Sequence, residues 1–170
     1  MLLQKEIRQY GYDKVNLNLG CPSPTVTSRN RGSGFLALPR ELDRFLEEIF
    51  KSCPMTVSIK TRIGVEDEEE WPQLLEIFEK YPLEELIIHP RLKTDQYKKN
   101  TIHWEAFKKA EESSRHSLCY NGDIVSKDDY EKVVQRFPRY GKDYDRKRDS
   151  EKTVAGRGNQ QWRQKRQQPV

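Results

Sequence analysis

The chain is poor in apolar residues for its length. Only 34% of its 170 residues are hydrophobic, and its mean hydropathy is -0.98. That is low for a chain that buries a generous core throughout, so part of it is expected to remain unpacked. No run approaches the roughly 18 apolar residues of a membrane span, and MLLQKEIRQY is too short and too charged for a signal peptide. A cytoplasmic location is therefore expected. Cysteine is scarce: Cys21, Cys53 and Cys119 leave an odd thiol and lack the paired close spacing of a zinc knuckle or finger. His103 and His116 likewise have no partner at ligand spacing. A reduced compartment and no structural metal fit these absences.

What charge there is lies unevenly. From Arg139 onward there are ten Lys/Arg and four Asp/Glu, whereas residues 1–138 carry 21 basic and 23 acidic groups. The tail RYGKDYDRKRDSEKTVAGRGNQQWRQKRQQPV has no sustained apolar period and is rich in Arg, Lys, Gln, Gly and Asp. Such composition cannot offset the entropy of ordering. Two regions are expected: a folded body over 1–138 and a basic, disordered tail over 139–170.

Inside the body the apolar period switches between 2 and 3.6. Val15, Leu17 and Leu19 alternate with Asn16 and Asn18 as in a strand, and Leu42, Phe45, Leu46, Ile49 and Phe50 then mark a helical face behind Pro39. MTVSIK (55–60) reads as a second strand. Its helix places Glu68, Glu69 and Glu70 in the first turn, where carboxylates favour the dipole, and Trp71, Leu74, Leu75 and Phe78 on the buried face. ELIIH (85–89) reads as a third strand with a helix around Trp104 and Phe107. SLCYN (117–121) is the fourth strand, and Ser126 with Asp129 forms a capping-box pattern before Tyr130, Val133, Val134 and Phe137.

Four strand–helix units require a parallel sheet with helical crossovers, an α/β fold. A doubly wound sheet and part of a (β/α)₈ TIM barrel both satisfy this. The polar residues favour the barrel. Each strand ends in groups that packing alone does not need: Asn18 and Cys21, Lys60 and Arg62, His89 and Arg91, Asn121 and Asp123. In a barrel such ends converge on one mouth, where catalytic residues gather. A partial TIM barrel of about four βα units is expected.

The motifs NLNLGCPSP with RGSGFL, then SIKTRIG, then IIHPR with QYKKNTIHW, then NGDI, resemble in order and spacing the tRNA-dihydrouridine synthases. The resemblance covers about residues 3–138. It implies a flavin enzyme on a (β/α)₈ barrel that reduces the carbon 5–carbon 6 double bond of uridines in tRNA, with FMN as cofactor and NADPH as reductant. Cys21 then matches the general acid that protonates carbon 5, opposite the face receiving hydride. Thiols are mostly protonated at neutral pH, and the Gly20–Pro22 context turns the chain and stiffens it around the sulfur. Asn18 is implied as substrate-binding, and Arg62 and Arg91 are assigned to the substrate as well, with flavin phosphate as the other group each could touch. Lys60, His89, Asn121, Gly122 and Asp123 are implied as FMN-binding, with Gly122 letting the backbone approach phosphate or ribityl oxygens. Gly32 and Gly34 read as a turn and helix entry, and Cys53 and Cys119 as packing residues. Tyr97 is open to either a rim or a substrate role.

A complete member of that family would have three strands before Val15 and an eighth ending in a Gly-Arg-Gly phosphate loop. AGRGN (155–159) resembles that loop but follows a charged segment where an apolar strand belongs, and is expected to be coincidental. The chain therefore reads as truncated at both ends, with little or no synthase activity by itself and with a tendency to self-associate through exposed sheet edges. Two other functions compete: a noncatalytic RNA-binding fragment, with Tyr140, Tyr144 and Trp162 of the basic tail available for stacking, and another FMN-dependent barrel reductase. The second leaves N-x-G-C-P together with K-x-R and H-x-R unexplained.

Overall fold

The computed structural model describes residues 9–96, 98 and 101–138. Tyr97, the 155–159 loop and the whole 139–170 tail lie outside them. The chain divides into two units, Met1–Val125 and Ser126–Val170.

The first unit carries four strands: β1 (Lys14–Leu19), β2 (Thr56–Gly64), β3 (Glu85–Leu92) and β4 (Ser117–Tyr120). They pair in parallel in the order β1-β2-β3-β4. A doubly wound sheet would reverse direction at a switch point. Sequential order with right-handed crossovers instead puts every helix on one face and leaves the other face inward, as in a barrel. The strand order thus decides between the two architectures that the sequence allows.

Three helices fill the crossovers: α1 (Pro39–Ser52), α2 (Trp71–Glu79) and α3 (Trp104–Ser113). Each inserts an apolar stripe. Leu42 and Leu46 of α1, Trp71, Leu74, Leu75, Ile77 and Phe78 of α2, and Ala106, Phe107 and Ala110 of α3 are buried. They meet the outward row of the sheet, where Val57, Ile59, Leu86 and Ile88 are also buried. Phe45 departs from the expected stripe. It stays partly exposed and sits edge-on to Phe35, with ring centroids 5.5 Å apart. The Asp43 carboxylate ties α1 to the end of α2, accepting from Tyr81 Oη at 2.6 Å and pairing with Lys80 Nζ at 2.7 Å.

Two strands run further than their apolar patterns suggest. β2 continues past Lys60 to Gly64, and β3 continues past His89 through Pro90 to Leu92. Arginines inside a ladder would ordinarily argue for its end. Here Arg62 and Arg91 are buried with partners for their charge, and the register shift between Arg62 and Gly64 falls opposite Pro90, which has no N–H to give. In the second unit, α4 (Lys127–Arg136) begins at the expected capping box: the Asp129 amide donates to Ser126 Oγ and the Ser126 amide to Asp129 Oδ2.

Candidate active site

The parallel register aligns the polar strand positions in rows. Asn18 stands beside Lys60, Lys60 beside Ile87, and Ile87 beside Cys119. One step further along, Arg62 stands beside His89, and the Asn121 amide extends the ladder by donating to Ile88 O at 2.9 Å. Registered partners in parallel strands face the same side, so these groups share the face opposite the helices. The structure thus brings the sequence-selected residues together at the carboxyl ends of four neighbouring strands.

Cys21 sits just beyond β1, half-buried. Asn18 Oδ1 accepts from the Gly20 amide at 3.1 Å, an Asx-type turn that ends the strand. The Cys21 carbonyl accepts from both the Ser33 amide, at 3.0 Å, and Ser33 Oγ, at 2.9 Å. Gly32 makes this possible. It has φ +54°, and a Cβ there would lie 2.7 Å from the Cys21 oxygen. RGSGFL therefore opens a 3₁₀ turn, Gly32–Ala37, that grips the cysteine loop.

Arg62 was expected at the substrate. It lies almost wholly buried, donating from Nε to Gly20 O at 3.1 Å, from Nη1 to Leu92 O at 2.6 Å and from Nη2 to Gln96 O at 2.6 Å. Its guanidinium joins three backbone segments. Arg91 is also buried and pairs through Nη2 with Asp123 Oδ2 at 2.5 Å, while its Nε has no hydrogen-bond partner among the described residues. His89 Nε2 is a second buried nitrogen without such a partner. Lys60 is half-buried, and burial, reinforced by the Arg62 charge, lowers its pKa; the Cys119 and Cys21 thiols act in the opposite direction. The corner thus gathers three cations around one histidine, with Asp123 as the counter-charge that acts on both Arg91 and His89. Such a site suits an anionic, acceptor-rich ligand.

The His89 environment has a measurable consequence. Burial first, then the charges of Arg62, Arg91 and Lys60, push its pKa down to about 4, with Asp123 opposing. An unfolded histidine titrates near ~6.5. Between these values the unfolded chain binds the extra proton, so stability rises with pH across the window and is lost as pH falls from 6.5 toward 4. Urea unfolding of His89→Gln is expected to show a correspondingly flatter profile over that window. An unchanged slope would exclude the assignment.

Gly122 packs against the Tyr120 ring. A Cβ there would lie 2.4 Å from Tyr120 Oη and 2.7 Å from Tyr120 Cζ, so the phenol occupies the space. The Tyr120 ring stacks on Trp104 at 5.7 Å and meets Phe107 edge-on at 5.3 Å, and burial raises its pKa to about 12. This aromatic stack supports the turn that presents Asn121 and Asp123.

Several contributors were not selected from sequence. Ser33 is one. His103 is another: its Nδ1 lies 2.6 Å from Glu68 Oε2 and its Nε2 3.0 Å from Asp95 Oδ2, and its amide donates to Pro90 O at 2.8 Å. It thereby joins the loop after β3 to the loop after β2. Glu70 is a third, accepting from the amides of Val65, Glu66 and Asp67 at 2.8 to 3.0 Å. The run of small backbone-seeking residues around Gly32 was a signal for Ser33. Glu70 carries a local signal, the Asp67-x-x-Glu70 capping box, whereas nothing local marks His103, whose importance comes from the loops it bridges.

A polar face at the carboxyl ends of consecutive parallel strands, with a cysteine turn and a cation cluster, is the arrangement of part of a (β/α)₈ barrel. The family model described as dihydrouridine synthase (Dus) matches residues 4–138, and the chain belongs to that family. It is similar to the tRNA-dihydrouridine(16) synthase of Haemophilus influenzae, 29% identical over 116 residues that make up 67% of this chain and 37% of that protein. It is also similar to the probable tRNA-dihydrouridine synthase 2 of Bacillus subtilis, 28% identical over 134 residues, 76% of this chain and 41% of that protein. A probable tRNA-dihydrouridine synthase of Staphylococcus epidermidis is 30% identical over 119 residues, covering 67% and 36% respectively. The chain spans about two fifths of the length of these relatives. Among the described residues, no helix is long and apolar enough to cross a membrane.

Proposed function

We propose that residues 1–138 form the part of a flavin-dependent tRNA-dihydrouridine synthase barrel that carries its proton donor and one side of its cofactor site. The observation that carries this reading is that the strand ends next to the Cys21 turn carry buried nitrogens, His89 Nε2 and Arg91 Nε, with no hydrogen-bond partner among the described residues, and that Lys60 is near enough to act on His89. FMN fits this donor set, since its phosphate and pyrimidine oxygens are acceptors with negative charge to place. Lys60, His89, Asn121 and Asp123 would hold it, with the Gly122 peptide between the last two. When bound and reduced by NADPH, FMN would supply the hydride for carbon 6 of the uracil.

The chain's own groups do the rest. Asn18 and Arg91 orient the base and its backbone, and the Cys21 thiol gives its proton to carbon 5 as negative charge develops there. Lys60 and Arg91 keep the pocket positive for the cofactor and for tRNA phosphates. The partner is tRNA.

FMN titration tests the cofactor site directly. A shifted flavin absorbance band and quenched fluorescence are expected with the chain. Lys60→Met and His89→Ala are each expected to weaken binding on the order of tenfold, the effect of losing one charged or buried hydrogen bond. An unperturbed flavin spectrum at saturating protein would overturn the assignment. A second measurement uses a graft in which residues 4–138 replace the matching segment of the Bacillus subtilis relative. Dihydrouridine formation on unmodified tRNA is expected, and a folded, flavin-loaded graft without turnover would count against the reaction.

A further inference from the structure

Cys21 is held from both sides, and this points to an assignment beyond the residues already placed. We propose that Arg62 and Ser33 are positioning residues that fix the direction of the Cys21 thiol, and that Arg62 couples this turn to the loop after β3. The inference rests on Cys21 being the proton donor.

A residue's φ and ψ are set by the orientations of the two peptide planes that flank it. The plane before Cys21 carries the Gly20 carbonyl, which accepts from Arg62 Nε at 3.1 Å. The plane after it carries the Cys21 carbonyl, which accepts from the Ser33 amide at 3.0 Å and Ser33 Oγ at 2.9 Å. Both planes are thus pinned by groups from elsewhere in the chain. Pro22 then limits the residue before it to extended backbone. With the backbone fixed on both sides, the sulfur retains only rotation about χ1.

Burial makes these ties hard to replace. Arg62 is 1% exposed and Ser33 0%, so water cannot take over a lost bond without entering the packed turn. Arg62 also donates to Leu92 O and Gln96 O, both at 2.6 Å. Gln96 adopts φ +51°, an unfavourable conformation for a residue with a side chain. It turns its carbonyl to the guanidinium all the same. The loop after β3 and the cysteine turn after β1 therefore share one cation. A substrate role for Arg62 would draw its nitrogens away from the Gly20, Leu92 and Gln96 carbonyls, of which Leu92 O would keep the Asp95 amide at 3.2 Å.

The test uses two conservative variants so that charge and fold are kept. Arg62→Lys retains the positive charge but cannot span three carbonyls. Ser33→Ala removes one donor, keeps the backbone bond and alters no charge. In the 170-residue chain, the rate of iodoacetamide alkylation at Cys21 is read by peptide mass spectrometry, with half-buried Cys53 at the end of α1 as internal control. Both variants are expected to accelerate alkylation at Cys21 about fivefold, the local-opening factor for one buried hydrogen bond. Cys53 is expected to stay within about twofold, well short of that factor. Rates at Cys21 unchanged or slower in both variants would overturn the proposal. So would equal acceleration at Cys53, which signals general loosening.

In the graft, both variants are expected to lower kcat for dihydrouridine formation on the order of tenfold while KM for tRNA and flavin affinity hold, because a proton donor displaced by a fraction of an ångström loses rate rather than binding. A rise in KM with kcat unchanged would indicate a substrate contact and overturn the positioning role. If the unsubstituted graft itself has no turnover, the functional reading fails, and the alkylation rates still decide whether the clamp exists.

Discussion

Replacing Cys21 with alanine in the graft is expected to reduce the rate of dihydrouridine formation by about 10²- to 10⁴-fold, the range for losing a positioned general acid. Flavin binding and flavin reduction by NADPH are expected to stay within about twofold of the parent, because neither needs a proton at carbon 5 and ΔΔG for the lost thiol falls on the proton-transfer step alone. The packing change is small. Cys21 is half-buried, and its backbone oxygen, rather than its sulfur, carries the contacts to Ser33. A stability loss therefore cannot account for so large an effect, and urea unfolding midpoints of the two proteins should agree closely. Pre-steady-state mixing of reduced enzyme with tRNA separates the steps. A Cys21→Ala graft that turns over at the parent rate would remove the thiol from the mechanism and leave it a structural residue of the turn.

The strand and helix alternation was legible because each element repeats its own period: Val15, Leu17 and Leu19 at intervals of two, and Leu42 and Leu46 at intervals of four. The clustering of polar groups at the carboxyl ends of the strands was legible too, since those groups interrupt apolar strand patterns, and the parallel register sets them side by side. What was hidden depends on contacts between distant segments. Arg62 reads as a solvated or substrate-facing arginine until its acceptors are seen, and those are Gly20, Leu92 and Gln96, 30 to 42 positions away. The same holds for His103 between Glu68 and Asp95. Strand lengths were underestimated for a related reason. A buried arginine ends an apolar pattern but not a ladder when backbone carbonyls or a carboxylate satisfy it. Gly122 is a further case: the Tyr120 phenol that fills the space beside it lies two residues away and is invisible to a motif.

Trp71→Ala is expected to be the most damaging single change to the fold, costing about 3–5 kcal/mol of unfolding free energy as for other buried aromatic-to-alanine substitutions. Trp71 is 1% exposed at the start of α2, its ring lies 6.5 Å from that of Phe78, and its Nε1 donates to Ala106 O at 2.8 Å. The residue therefore both fills the layer outside β2 and joins α2 to α3. Two losses are combined in the alanine variant, and Trp71→Phe separates them. Phenylalanine keeps most of the apolar contact but leaves the Ala106 carbonyl without its indole donor, a cost of about 1–3 kcal/mol. If packing dominates, Phe should recover more than half of the alanine loss; if the hydrogen bond dominates, Phe and Ala should be alike. The burial argues for packing. Domains of this size have about 5–15 kcal/mol in all, so the alanine variant should melt near working temperatures and release bound flavin as the sheet loses its outer layer. Urea unfolding followed by far-ultraviolet circular dichroism gives both values, and a loss below about 1 kcal/mol for Trp71→Ala, the level of an ordinary surface change, would mean that α2 does not hold the strands whose ends form the site.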